Sequence, residues 1–136
     1  MVTTEQIRAL QVGDELPALQ RVATMRVNTT WGSPHNDEYA RQVLKLRGGL
    51  VPGVTTMAYV EEMLGRYFGP SWLERGELEV RFVGGGAIRD DSVTAHAQVT
   101  GRTRDESGER LEFQVWLEDA EIDGKAVVVG TASYRL

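Results

Sequence analysis

Residues 47–68 read RGGLVPGVTTMAYVEEMLGRYF, and the reading of this stretch decides the fold. Met57, Val60, Leu64 and Tyr67 recur three or four apart, so they share one face of a helix, with Met63 and Phe68 widening the stripe. Val54, Ala58 and Tyr59 add apolar surface elsewhere, and only a strip bearing Glu61, Glu62 and Arg66 is polar. A helix this apolar is covered by other structure rather than laid on a surface. Pro52 and Gly53 set its start near Gly53 to Thr55, and Gly69-Pro70 stops it. Its first N–H groups have no partner within the helix, and the helix dipole makes that end electropositive. A buried helix whose start can face a ligand oxygen is the best functional clue in the chain.

Upstream, Thr3 and Gln6 fit a capping box, so a short helix is expected to run to about Leu10. Gly13-Asp14 turns the chain into an extended segment over 16–28, whose apolar residues do not keep one face and imply a bulge or bend. TTWGSPHND, residues 29–37, is a loop. Asn36 or Asp37 caps a short helix over 38–44 with Tyr39, Val43 and Leu44 turned inward. Downstream, Leu78, Val80 and Phe82 alternate with charged residues as a half-buried strand. Val93, Ala95, Ala97 and Val99 form the next apolar face, and Leu111, Phe113, Val115 and Leu117 another. Residues 105–109 make a hairpin loop, and Asp123-Gly124 suits a two-residue turn. The last strand spans 125–136, and its three consecutive valines imply burial on both faces in part. One strand, a short helix, a long apolar helix and four antiparallel strands give an α+β class. The expected architecture is one hot-dog domain over 1–136, a curved sheet of about five strands wrapped around one central helix. Such a sheet leaves edge strands open, so a homodimer is expected.

Composition narrows the function. A net charge of −5 with no Lys/Arg run argues against a nucleic-acid binder. The chain has no cysteine and only two histidines, His35 and His96, far apart in sequence, so no metal site is expected. No apolar run approaches membrane length and the first residues lack a signal-peptide core, so a cytoplasmic protein without a membrane partner is expected.

Pro34-His35-Asn36-Asp37-Glu38-Tyr39-Ala40, followed by Gly48-Gly49-Leu50-Val51-Pro52-Gly53 leading a helix, resembles the MaoC-like, (R)-specific enoyl-CoA hydratase family. Gly13-Asp14, Arg81-Phe82 and Asp91-Ser92-Val93 fit the same layout. In that family a loop of the form Asp-x-Asn-Pro-x-His supplies a catalytic aspartate and histidine, and a helix-start glycine offers its N–H to the thioester carbonyl. The resemblance implies that His35 takes the histidine position after a one-residue deletion, and that Gly53 takes that of the glycine. Trp31 stands where the aspartate falls, Ser33 replaces the asparagine, Pro52 replaces a histidine, and Gly85 replaces a proline. The chain reads as a divergent member lacking the usual catalytic aspartate.

Imidazole is the side chain suited to moving protons near neutral pH, so His35 is the candidate acid/base, against a plain role as a loop or helix-entry residue. Asp37, two residues on, can orient the ring or merely cap the following helix. Gly53 and Val54 can present N–H donors to a substrate carbonyl, or the glycine merely permits a tight turn. Trp31 can line an acyl channel, meet a second protomer, or simply pack. His96 reads as solvated. Gly84 to Gly86 is not a phosphate loop, since no helix with Lys-Ser/Thr follows. The expected function is a hydratase-like lyase acting on an acyl thioester or related enone, by hydration or dehydration. Since one acid/base group suffices for it, a proton-transfer reaction such as isomerisation, cyclisation or elimination through an enolate is equally expected. No cofactor is expected beyond the coenzyme A or acyl carrier protein that bears the substrate. A non-catalytic acyl-binding subunit, or partner of an active homologue, is the alternative. A thioesterase using Glu61 or Glu62 and a cone-shaped sheet of the nuclear-transport-factor-2 type are further readings.

Overall fold

In a computed structural model, which describes residues 2–25 and 29–136, the long apolar pattern is helix α3. The order is α1 Thr4–Arg8, β1 Leu19–Val22, α2 Asp37–Gln42, α3 Gly53–Phe68, α4 Trp72–Arg75, β2 Gly76–Phe82, β3 Ser92–Asp105, β4 Gly108–Asp119 and β5 Lys125–Arg135. Short 3-10 turns join α3 to α4 and β4 to β5. The five strands form one antiparallel sheet in the order β1-β3-β4-β5-β2, so β1 and β2 are its edges. The expected α+β class, five-stranded sheet and single long helix are all present.

Local chemistry accounts for the element ends. Thr3 caps α1 reciprocally with Gln6, the capping box expected from their spacing. Asn36, not Asp37, caps α2 through a 2.8 Å bond from Tyr39 N–H to Oδ1. Gly69 takes φ 73°, a conformation open to glycine, and ends α3. Asp123 and Gly124, at φ 61° and 70°, make the left-handed turn into β5.

The inward faces of β3 and β4 are the expected ones: Val93, Ala95, Ala97, Val99, Leu111, Phe113, Val115 and Leu117 are all buried. Val60, Met63, Leu64 and Phe68 of α3 join the same core. Each fully buried Val, Leu or Phe is worth roughly 1.5–3 kcal/mol over leaving it in water. Val127 and Val128 are both buried because the β4–β5 register shifts after Leu117, which turns two consecutive side chains into the core.

Three expectations need correction. The first strand spans only Leu19–Val22, preceded by an isolated bridge from Glu15 to Gln98. Residues 26–28 of the expected segment lie outside the described residues. Helix α2 stops at Gln42, so Val43 and Leu44 fall past its end and are 49% and 42% exposed rather than inward. Phe82 alternates as a core residue should, but it sits at the end of an edge strand and is 55% exposed. No helix among the described residues is long and apolar enough to cross a membrane.

Candidate functional site

The start of α3 opens on a cleft of about 460 Å³ lined by Leu50, Val51, Gly53, Thr56, Phe82, Val83, Gly84 to Gly86 and Val127. Pro52 occupies the cap position and has no side-chain hydrogen bond to give. Thr55 and Thr56 N–H turn back to the Pro52 carbonyl, at 2.9 and 3.3 Å. Among the described residues no acceptor is found for the N–H of Gly53 or Val54, as geometry requires at a helix start. Both donors, with the positive end of the dipole behind them, are therefore available. Thr56 is 3% exposed, and its hydroxyl is already donated to the Gly53 carbonyl.

Gly53 is there for close approach. A Cβ built on it would stand 2.9 Å from two ring atoms of Phe82, so the aromatic ring lies against the first turn of the helix. That contact makes Phe82 one wall of the cleft. The glycine-rich run 84–86 forms another wall.

His35 is not among the residues lining the cleft, but it meets the backbone of one of them. Its Nδ1 lies 2.6 Å from the Leu50 carbonyl, and Leu50 N–H bonds the Pro34 carbonyl at 2.9 Å. A carbonyl oxygen can only accept, so Nδ1 carries the hydrogen and Nε2 of the neutral ring keeps its lone pair. The tautomer that leaves Nε2 free to take a proton is thus set by the backbone of a cleft residue. Gly49 permits this approach: a Cβ there would meet the His35 carbonyl at 2.8 Å.

Asp37 supports the same frame. Its Oδ1 accepts the Gly49 N–H at 2.7 Å, and Oδ2 pairs with Arg41 at 3.1 Å. Residues 49–51 also pair with 87–89, through Arg89 N–H to the Gly49 carbonyl and Val51 N–H to the Ala87 carbonyl. Trp31 does not line the cleft; it is 58% exposed and meets Tyr39 edge to face, with ring centroids 5.1 Å apart. The structure thus joins His35, Asp37 and Leu50 in one frame, with Leu50 and Gly53 sharing the cleft, and leaves Trp31 outside, against Tyr39. Val54, next along α3, has its side chain 67% exposed.

Sequence reasoning missed Leu50, Phe82 and Val127 as lining residues. Only the glycine run after an alternating strand hinted at them.

The two helix carboxylates are otherwise engaged. Glu62 takes Arg21 at 3.0 and 2.7 Å and Arg66 at 3.0 Å, and the Arg21 bond chiefly holds its carboxyl below the ordinary range. Glu61 accepts the Trp72 indole N–H at 2.8 Å. His96 is held on the other face of the sheet, stacked on Trp116 at 5.0 Å and paired with Glu118. Among the described residues no group of three or more His, Asp or Glu side chains could hold a metal ion.

No protein-family model matches the chain, and no curated protein sequence matches it. Solved structures do share its fold. The (R)-hydratase from A. caviae involved in PHA biosynthesis has 17% identity and a TM-score of 0.73, over 95% of this chain and 98% of that one. The MaoC-like dehydratase from Rhodospirillum rubrum has 16% identity and a TM-score of 0.65, over 96% and 97%. A chain of the ChsH1-ChsH2 complex from Mycobacterium tuberculosis has 15% identity and a TM-score of 0.58, over 93% and 98%. These likenesses establish the hot-dog fold seen in MaoC-like dehydratases and (R)-hydratases.

Proposed function

We propose that the chain is a hydratase-like lyase acting on an acyl thioester, or a related enone, carried on coenzyme A or an acyl carrier protein. One observation carries this reading. The α3 start, with two unpaired N–H donors, opens on a cleft whose wall residue Leu50 fixes the His35 tautomer through a 2.6 Å bond. In the forward step His35 Nε2 takes a proton from water as the hydroxyl adds to C3 of a 2-enoyl thioester. The displaced electron pair moves to the thioester oxygen, where the Gly53 and Val54 N–H groups receive it. Return of the proton to C2 completes the addition, and the reverse sequence is dehydration. With Trp31 in the aspartate's place, one histidine serves as both base and acid. Asp37 acts through Gly49 as a positioning residue, and the exposed Trp31 contacts the acyl group or a second protomer.

The active form in this reading is a homodimer, with the sheet wrapped about a central α3 and each cleft completed by the other copy. Its support is the pair of open sheet edges carrying exposed apolar side chains, Val22 at 54% on β1 and Phe82 at 55% on β2.

The test is loss of the conjugated enoyl-thioester absorbance with wild type and His35→Gln. Turnover is expected to fall by about 10²–10⁴ in the variant at unchanged melting temperature. Equal rates remove His35 from the mechanism. Binding of the thioester by wild type without any turnover selects a second reading, a non-catalytic acyl-binding subunit or partner of an active homologue. Trp31 in the aspartate's place and Pro52 in place of a histidine favour that reading.

A further inference from the structure

Outside the cleft, Asp119 at the end of β4 is a buried carboxyl with one oxygen unpartnered among the described residues. It is 0% exposed. Its Oδ1 accepts the Glu121 N–H at 2.9 Å, but Oδ2 is buried with no donor directed at it. Val93 lies opposite Asp119 in the β3–β4 ladder, and two residues before it stands another carboxyl, Asp91, itself 2% exposed and acting on Asp119. Asp91 is fully engaged elsewhere: Arg47 grips both its oxygens at 2.9 Å, and Ile88 N–H bonds Oδ2 at 3.1 Å. One guanidinium thus faces two buried carboxyls. Two adjacent buried negative charges with one cation are costly, and the cost falls when one carboxyl keeps its proton.

We propose that Asp91 and Asp119 share a single proton, and that this proton allows Arg47 to hold residues 47–51 against 87–91, so that its loss at higher pH loosens the frame behind the cleft. The connection runs through named bonds. Arg47 begins the segment whose Gly49 carbonyl takes Arg89 N–H at 2.9 Å and whose Val51 N–H meets the Ala87 carbonyl at 2.8 Å. Between them, Leu50 bridges Ile88 and carries the carbonyl that orients His35. Once Asp119 ionises, Arg47 must divide itself between two carboxylates or water must enter. Either change disturbs its two-pronged grip on Asp91.

The surrounding charges fit one cation for two acids. Glu121, on the 3-10 turn, adds negative potential at Arg47. Lys125, opposite Asp119 in the β4–β5 ladder, has an exposed side chain. The neighbouring Glu118 pairs with His96. Burial pushes the Asp119 carboxyl up to about 7, with the hydrogen bond and charge of Asp91 adding to the rise and the Glu121 N–H and Arg47 opposing it. Burial also acts to raise Asp91, but the bonds from Arg47, Asp119 and Ile88 prevail and hold it below its ordinary value. The sign for stability follows. The folded chain keeps an Asp119 proton that the unfolded chain releases above its ordinary value of 3.8, so this group's contribution declines as pH rises from about 4 to about 7 and is level beyond.

The experiment needs no substrate, so its outcome is separate from that of the proposed reaction. Amide resonances of Ile88, Gly49 and Leu50 are followed from pH 5 to 9 in wild type, Asp119→Asn and His35→Gln. Asparagine keeps the shape and the Glu121 bond, offers an N–H to Asp91 and cannot ionise. Ile88 is expected to shift with a midpoint near pH 7 in wild type and in His35→Gln and to stay flat in Asp119→Asn. Gly49 and Leu50, which also sense the His35 ring, are expected to follow the same step in His35→Gln. A flat Ile88 in wild type overturns the shared proton, as does an Ile88 step that survives Asp119→Asn. An Ile88 step in His35→Gln without movement of Gly49 and Leu50 overturns the link to the frame. Should Asp119→Asn not fold, aspartate carboxyl carbons in the wild type decide: no Asp119 midpoint near 7 contradicts the proposal.

Discussion

The β3–β4–β5 half of the sheet and the frame formed by residues 34–51 and 83–91 are held by different physics. In the sheet, order comes from alternating apolar side chains packed on α3, with Phe113 at its centre, 1% exposed and 5.8 Å from the Phe68 ring. In the frame, few side chains are fully buried. Order comes from individual hydrogen bonds between distant residues: His35 to Leu50, Asp37 to Gly49, Arg47 to Asp91. The difference shows how the molecule divides its labour. A packed sheet supplies a rigid base, and a polar frame places backbone donors and an imidazole around a cleft.

The largest effect is expected in the sheet. Phe113→Ala removes a ring from the packed core and should lower unfolding free energy by about 3–5 kcal/mol in chemical denaturation. A loss below about 1 kcal/mol would mean that the core is not where the stability lies, and the comparison would fail.

A smaller effect is expected where frame and helix meet. Gly53→Ala drives a methyl group against the exposed Phe82 ring, which must swing aside at a cost of about 0.5–1.5 kcal/mol. Phe82→Ala in the same chain should relieve it, because the ring at 2.9 Å is the clashing group. Full additivity of the two substitutions would show that ring and glycine do not touch. The pair also makes a bulkier probe such as Gly53→Val ambiguous alone, since it moves Phe82 as well as crowding the donors.

The smallest effect tests a corrected expectation. Val43→Thr and Leu44→Gln, past the end of α2 and largely exposed, should each change stability by no more than about 0.5 kcal/mol. A loss above about 2 kcal/mol that depends on protein concentration would place both side chains in a dimer interface and sharpen the homodimer reading.

The same division governs what the sequence discloses. The sheet is legible because period-two alternation is local: Val93 to Val99 and Leu111 to Leu117 announce their buried face residue by residue. The long helix is legible through its spacing and its Pro-Gly boundaries, and the resemblance to hydratases drew attention to His35 and Gly53. The frame is not legible, because its order lies in contacts such as Asp37 to Gly49 and Arg47 to Asp91 that leave no periodic trace. Phe82 misled for a related reason. Alternation marks its face of the strand but not its position on an edge strand beside a glycine that admits its ring. Val127 and Val128 point the same way because of a register shift, which three valines in a row do not specify.

The central claim is that the α3 start and His35 serve one ligand. It is tested most directly by titrating the ¹⁵N-labelled protein with a non-reactive thioether analogue of an enoyl-coenzyme A bearing a carbonyl at the thioester position. The account predicts that the Gly53 and Val54 amides and the His35 Nε2 resonance shift along one binding curve, with a single dissociation constant. Saturation of the analogue elsewhere on the protein, with Gly53, Val54 and His35 all unmoved, would contradict it.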